Sequence, residues 1–127
     1  MKILVCIKQV LDPDIPIRLD EKGLWVEAEV TPLYRMNPFD EYALEEALRI
    51  RETHADITID ALSVGPVRVA QTLKRGLEMG ADEGIHILLP GEGYRSPFEI
   101  ASLIADFARD RSYDLILTGI MSEDDMQ

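Results

Sequence analysis

The chain has 127 residues, of which 46% are hydrophobic and 29% charged, the profile of one folded domain rather than a disordered segment. Its formal net charge of −11 repels nucleic-acid phosphates, which argues against a DNA- or RNA-binding role, and no apolar run reaches the ~20 residues of a membrane span. The single cysteine, Cys6, excludes an internal disulfide.

Lys2–Lys8 (KILVCIK) is a short β-branched apolar run, the pattern of a strand buried on both faces. Lys8 breaks it and no small-residue cleavage site follows, so it is not a signal peptide, and a cytoplasmic location is expected. Cys6 reads first as a small buried hydrophobe. Lys8 stands open between an exposed strand end and a contact to a ligand phosphate. Leu11–Met36 is interrupted by Pro13, Pro16 and Pro32. Ile15, Ile17 and Leu19 alternate with other residues, Asp20-Glu21-Lys22-Gly23 offers a turn, and Trp25–Ala28 follows. This spacing predicts a hairpin excursion between the first strand and the first helix.

Asn37-Pro38-Phe39-Asp40 is a helix start: Asn caps, Pro suits the first helical position, and Asp favours the positive helix end. The helix runs to about Thr53, with Ala43, Leu44, Ala47, Leu48 and Ile50 as its apolar side. Ile57–Val64 is the second strand, closed by Gly65-Pro66. A helix from about Pro66 carries Val69, Ala70, Leu73 and Leu77, and Gly80 ends it. Ile85–Leu89 is the third strand. After the Pro90–Gly93 loop, Ser96-Pro97-Phe98-Glu99 starts another helix as a capping box, running to about Arg109. Asp114–Thr118 is the fourth strand, and the chain continues as a loop through Gln127.

The order βαβαβαβ implies an α/β fold with a doubly wound parallel sheet of Rossmann-like build. In such sheets ligands bind beyond the C-terminal strand ends, where the strand order reverses. With the order 3-2-1-4, that crevice lies between the first and fourth strands, and Lys8 and Gly119 face each other across it.

Catalytic signatures are sparse. Glu123, Asp124 and Asp125 follow the fourth strand, but adjacent carboxylates rarely converge on one target, and the cluster reads as solvated. The backbone amides of Gly119–Ser122, with the Ser122 hydroxyl, offer an anion cradle. His54 and His86 have no partner at metal-ligand spacing. No nucleophile elbow, Walker A loop or G-x-G-x-x-G follows a strand. From the residues alone, the reading stops at an α/β domain that binds a nucleotide at its switch point.

Five stretches together resemble the electron-transfer flavoprotein beta subunit: MKILVCIKQV at 1–10, MNPFDEYALEEA at 36–47, LSVGP at 62–66, LEMGAD at 77–82 and DLILTGIMSEDD at 114–125. They span the chain in the family's order. The resemblance implies an electron carrier that has no catalytic activity of its own and pairs with an alpha subunit. That heterodimer carries FAD and accepts electrons from flavin dehydrogenases. It implies a buried AMP, or a second FAD in electron-bifurcating members. By resemblance the nucleotide meets Cys6, Asn37, Pro38, Phe39, Asp40 and Val64. It also meets the loop of Gly119, Ile120, Met121, Ser122, Glu123, Asp124, Asp125, Met126 and Gln127. The family usually has Gln at the position of Met121. Its chains continue well beyond residue 127, so these residues are expected to form a nucleotide-binding domain truncated before the helix that helps hold the phosphate. Two other readings compete. A stand-alone ATP- or AMP-binding stress-type regulatory domain would carry a glycine-rich phosphate loop after the fourth strand, where this chain has an acidic loop with one glycine. A nucleotide-dependent hydrolase would need a catalytic constellation.

Overall fold

The computed structural model describes residues 1–11, 34–91 and 95–122. Four strands form one parallel sheet: β1 (Lys2–Cys6), β4 (Thr58–Gly65), β5 (Glu83–Leu88) and β6 (Leu115–Leu117). Their order is β5-β4-β1-β6, the expected 3-2-1-4 arrangement. β1 is central, pairing Ile3 with Ile59 on one side and with Leu115 on the other. Among the described residues, three helices connect the strands: α1 (Pro38–Thr53), α2 (Ala70–Met79, after a 3-10 turn at Val67–Val69) and α3 (Pro97–Ala108). The fold is a Rossmann-like doubly wound α/β sheet.

The central strand explains the layering. Successive side chains of β1 point to opposite faces. Ile3 and Val5 pack with Leu44 and Ala47 of α1 and Leu73 of α2, whereas Leu4 packs with Ala108, Ile104 and Phe107 of α3. Among the described residues, the α1/α2 layer contains eleven buried hydrophobic residues and the α3 layer three. The first layer is therefore the main core, and α3 is more lightly attached.

Several local expectations are refined. α2 stops at Gly80, whose φ of 132° lies in the region that glycine tolerates. Ser96 caps α3 by accepting the Glu99 amide at 3.1 Å. The Glu99 carboxylate itself turns to the Arg95 guanidinium at 3.4 Å. β1 ends at Cys6 rather than Lys8, although the Ile7 amide still donates to the Leu62 carbonyl at 2.8 Å. The described ends of the predicted excursion form an antiparallel ribbon of β2 (Gln9–Leu11) and β3 (Tyr34–Met36), with Gln9 opposite Met36 and Leu11 opposite Tyr34. The alternating residues Ile15, Ile17 and Leu19, the turn at 20–23 and the segment 25–28 lie outside the described residues. Among the described residues no helix is long and apolar enough to cross a membrane.

Candidate functional site: the crevice between β1 and β6

The last ladder pair between β1 and β6 is Val5 with Leu117. Beyond it the chain leaves β1 toward the ribbon and leaves β6 as the loop 118–122. A crevice of about 480 Å³ opens at this divergence. Its floor is Cys6, Leu62 and Val64, and one wall is the face of α3 that carries Pro97, Ile100, Ala101 and Ile104. Opposite lies a polar lip of Lys8, Gln9, Asn37, Asp40 and Ser122, and Arg68 and Arg95 also line the opening. An apolar slot with a few polar groups at one side is the ordinary build of a small-molecule site.

Buried polar residues are the informative ones, because each needs a partner. Gln9, Asn37, Asp40 and Ser122 are all buried, and all four line this crevice. Asp40 sits in the first turn of α1, yet its carboxylate reaches outside the helix. One oxygen accepts the Lys8 amide at 2.7 Å, and the other accepts the Gly119 amide at 3.0 Å. Burial pushes its pKa up, against the opposing pull of these amides, of Asn37 and of the Lys8 charge. The Cys6 thiol is pushed up to about 11 by burial and by the Asp40 charge, so it is a neutral lining group rather than a thiolate nucleophile.

Asn37 occupies the N-cap position, and its carbonyl accepts the amides of Asp40 and Glu41, each at 3.0 Å. Its side chain makes no capping bond; its Nδ2 donates instead to the Met121 carbonyl at 2.8 Å. The expected cap is thus a tether from the helix start to the loop after β6. Asn37→Ala should cost about 1 kcal/mol for that hydrogen bond. Amide exchange should accelerate at residues 119–122 and stay unchanged at 38–41; acceleration confined to the helix start would restore the capping role. Lys8 Nζ donates to Ser122 Oγ at 3.2 Å.

Of the anticipated residues that are described, the structure brings most together. Cys6, Asn37, Asp40, Val64, Gly119, Met121 and Ser122 line the crevice. Pro38 and Phe39 lie beside it in the first turn of α1, and Ile120 points outward, 86% exposed. Glu123, Asp124, Asp125, Met126 and Gln127 lie outside the described residues. His86 spends a ring nitrogen on the Gly65 carbonyl, 2.9 Å away, and the His54 ring lies beside Thr53 and the Ile50 carbonyl.

Sequence reasoning missed the α3 wall and both arginines. Pro97, Ile100, Ala101 and Ile104 recur at helical spacing, so the stripe was visible, but it reads equally well as core. Arg68 has no such signal. It reaches the opening because its guanidinium lies 4.0 Å over the Tyr34 ring and bonds the Gln9 carboxamide, two contacts that depend on the β2–β3 ribbon.

With this geometry in hand, comparison with known proteins is decisive. Residues 24–127 match the electron transfer flavoprotein domain. The electron transfer flavoprotein subunit beta of Bradyrhizobium diazoefficiens is 38% identical over 125 residues, which cover 98% of this chain and 49% of that protein. The chain belongs to the electron transfer flavoprotein family, on its beta-subunit side. The mitochondrial beta subunit of Arabidopsis thaliana is 40% identical and the Homo sapiens beta subunit 35% identical, each match covering 98% of this chain and 49% of the relative. The chain therefore spans about half the length of the electron transfer flavoprotein beta subunits it matches. As a member of that family it is separated from the stand-alone stress-type binders that share the α/β build.

Proposed function

We propose that the crevice holds an adenine nucleotide and that the chain is the nucleotide-binding part of an electron-transferring beta subunit. The carrying observation is an apolar slot, open at the reversal of strand order, with a lip of fixed polar groups. An aromatic base suits the slot between Val64 and the α3 stripe of Ile100 and Ile104. The Lys8 ammonium, the Ser122 hydroxyl and the two arginines suit ribose and phosphate. AMP fits this description; in an electron-bifurcating member FAD would take its place and supply the redox chemistry. The chain's own residues bind, orient and keep water from the ligand. Cys6 is neutral and Asp40 is engaged by two amides, so neither serves as a nucleophile or base. The reading further includes pairing with an electron-transfer flavoprotein alpha subunit, a shared FAD, flavin dehydrogenases as electron donors, a cytoplasmic location and no catalytic activity of the chain alone.

The test is the nucleotide released on denaturing protein purified from cells, identified by mass spectrometry. AMP or FAD at near-stoichiometric yield supports the proposal. ATP would overturn the assignment of AMP or FAD to the crevice, and an empty protein that also fails to take up AMP in calorimetry would sink it. Arg68 provides a sharper check. Arg68→Ala should weaken AMP about tenfold, the worth of one charge-assisted hydrogen bond of roughly 1.5 kcal/mol. Adenosine, which lacks the phosphate, should bind the variant as it binds the parent; equal losses for both ligands would assign Arg68 to shaping the opening rather than to phosphate.

A further inference from the structure

An acidic residue in the first turn of a helix ordinarily serves its own helix, through the macrodipole or the free amides. Asp40 does not. Its two oxygens go to Lys8, just after β1, and to Gly119, just after β6. Those are the two strands that separate to create the crevice, and their ladder has already ended at Val5 and Leu117. One carboxylate therefore bridges the gap where the backbone hydrogen bonds stop. The packing around the bridge is tight: a Cβ on Gly119 would lie 2.4 Å from Asp40 Oδ1 and 2.8 Å from both the Asp40 nitrogen and the Phe39 carbonyl carbon. Two further bonds continue the same seam, from Asn37 to the Met121 carbonyl and from Lys8 to Ser122.

We infer that Asp40 is a positioning residue: its carboxylate, by accepting the Lys8 and Gly119 amides together, holds the loop 119–122 in place across the crevice and so fixes the shape the ligand meets. The inference deepens the nucleotide reading and rests on it for the identity of that ligand. The ionised carboxylate is the one form that suits this geometry, because both facing groups are N–H donors. An amide presents its NH2 to one of the two backbone amides, which then loses its acceptor, and a neutral acid offers one of them only its weaker O–H oxygen. A buried amide left without a partner is unfavourable, so the loop should detach at Gly119 rather than tolerate it.

Protonation weakens the same contact, because the O–H oxygen is a poorer acceptor than a carboxylate oxygen. Among the described residues, the titratable groups acting on Asp40 are the neutral Cys6 thiol from β1 and the Lys8 ammonium beyond it; Gly119 to Ser122 contribute nothing titratable. The folded pKa of Asp40 is raised, so between the ordinary carboxylate value and the folded one the native state binds more protons than the unfolded chain. Asp40 thus makes global stability fall as pH rises through that window. The loop contact behaves oppositely, since it is made by the ionised form and lost as pH falls. Mild acid should loosen the loop while the domain stays folded.

The experiment compares the parent with Asp40→Asn, nearly identical in shape. In ¹⁵N-labelled protein, the amide protons of Lys8 and Gly119 should shift together on acidification with a single midpoint above the ordinary aspartate value. In Asp40→Asn both should be insensitive to pH there, and exchange at Gly119, Met121 and Ser122 should be faster with exchange in β1 and β4 unchanged. AMP should bind the variant roughly tenfold more weakly, as expected for loss of one hydrogen bond to a charged group. A Gly119 amide equally protected in both proteins, or a parent titration in which Lys8 and Gly119 do not move together, would overturn the assignment. A parent that shows the coupled titration but binds no AMP would retain Asp40 as the loop's anchor and refute only the nucleotide reading. Should Asp40→Asn fold poorly, the parent's coupled titration decides the matter alone.

Discussion

Gly119→Ala is expected to lower stability by about 2–3 kcal/mol and to abolish measurable AMP binding, a large effect for one added methyl group. The methyl would stand 2.4 Å from Asp40 Oδ1 and 2.8 Å from two backbone atoms of the first turn of α1. A flexible side chain could swing aside, but the helix backbone cannot, and Asp40 is itself held by Lys8. The loop must therefore lift from α1, leaving a buried carboxylate with one amide fewer and a widened crevice. Urea unfolding measures the first part and AMP calorimetry the second. An unchanged midpoint with unchanged affinity would mean that the close approach of loop and helix is not required.

Leu44→Ala should be the most damaging truncation in the α1 layer, costing about 3–5 kcal/mol through lost burial and the cavity left behind. Leu44 is fully buried in the main core, beside the place where α2 comes close at Gly76 with Ile7 and Ala61 around it. That site has little freedom to collapse, because β1 and β4 on its floor are locked by their parallel ladder. Ile104→Ala removes a similar volume from the α3 layer. Ile104 is only half-buried there, so the cost should be nearer 1 kcal/mol, mainly for the apolar area it covers. Equilibrium denaturation of the two variants tests the difference; equal losses would mean that both layers are comparably packed.

The larger elements of this fold were legible because each carries a redundant signal. After Lys2, Ile3–Cys6 is apolar throughout, as a strand covered on both faces must be, and α1 and α3 are announced by Asn-Pro and Ser-Pro starts. The strands β2 and β3 were not legible. Three residues are too few to establish an alternation, and their pairing brings together positions 9 and 36 across a long excursion. Within the site, topology alone located the divergence of the first and fourth strands, and Lys8 and Gly119 do face each other there, on one carboxylate. What failed was the role of individual side chains. Asn37 and Asp40 carry the right residue types for a helix start, and the local rules account for them fully. Only the tertiary placement of the loop after β6 gives them other partners. Arg68 was invisible for the same reason, since its direction depends on Tyr34 and Gln9.

The uneven packing of the two sheet faces bears on what an occupant of the crevice does for the protein. The α3 layer contains three buried hydrophobic residues among those described, and the same helix forms the crevice wall with Ile100, Ala101 and Ile104. A flat aromatic base entering there would lie between α3 and the sheet, against the positions where the other face has Leu44 and Leu73. The ligand would then act as interior filling for the thin side of the domain. Because such a ligand binds only the folded chain, stabilisation would rise with its concentration, by about 2.7 kcal/mol at a hundredfold excess over Kd. Its clearest mark would be slowed exchange along α3, with the already solid α1 side scarcely changed.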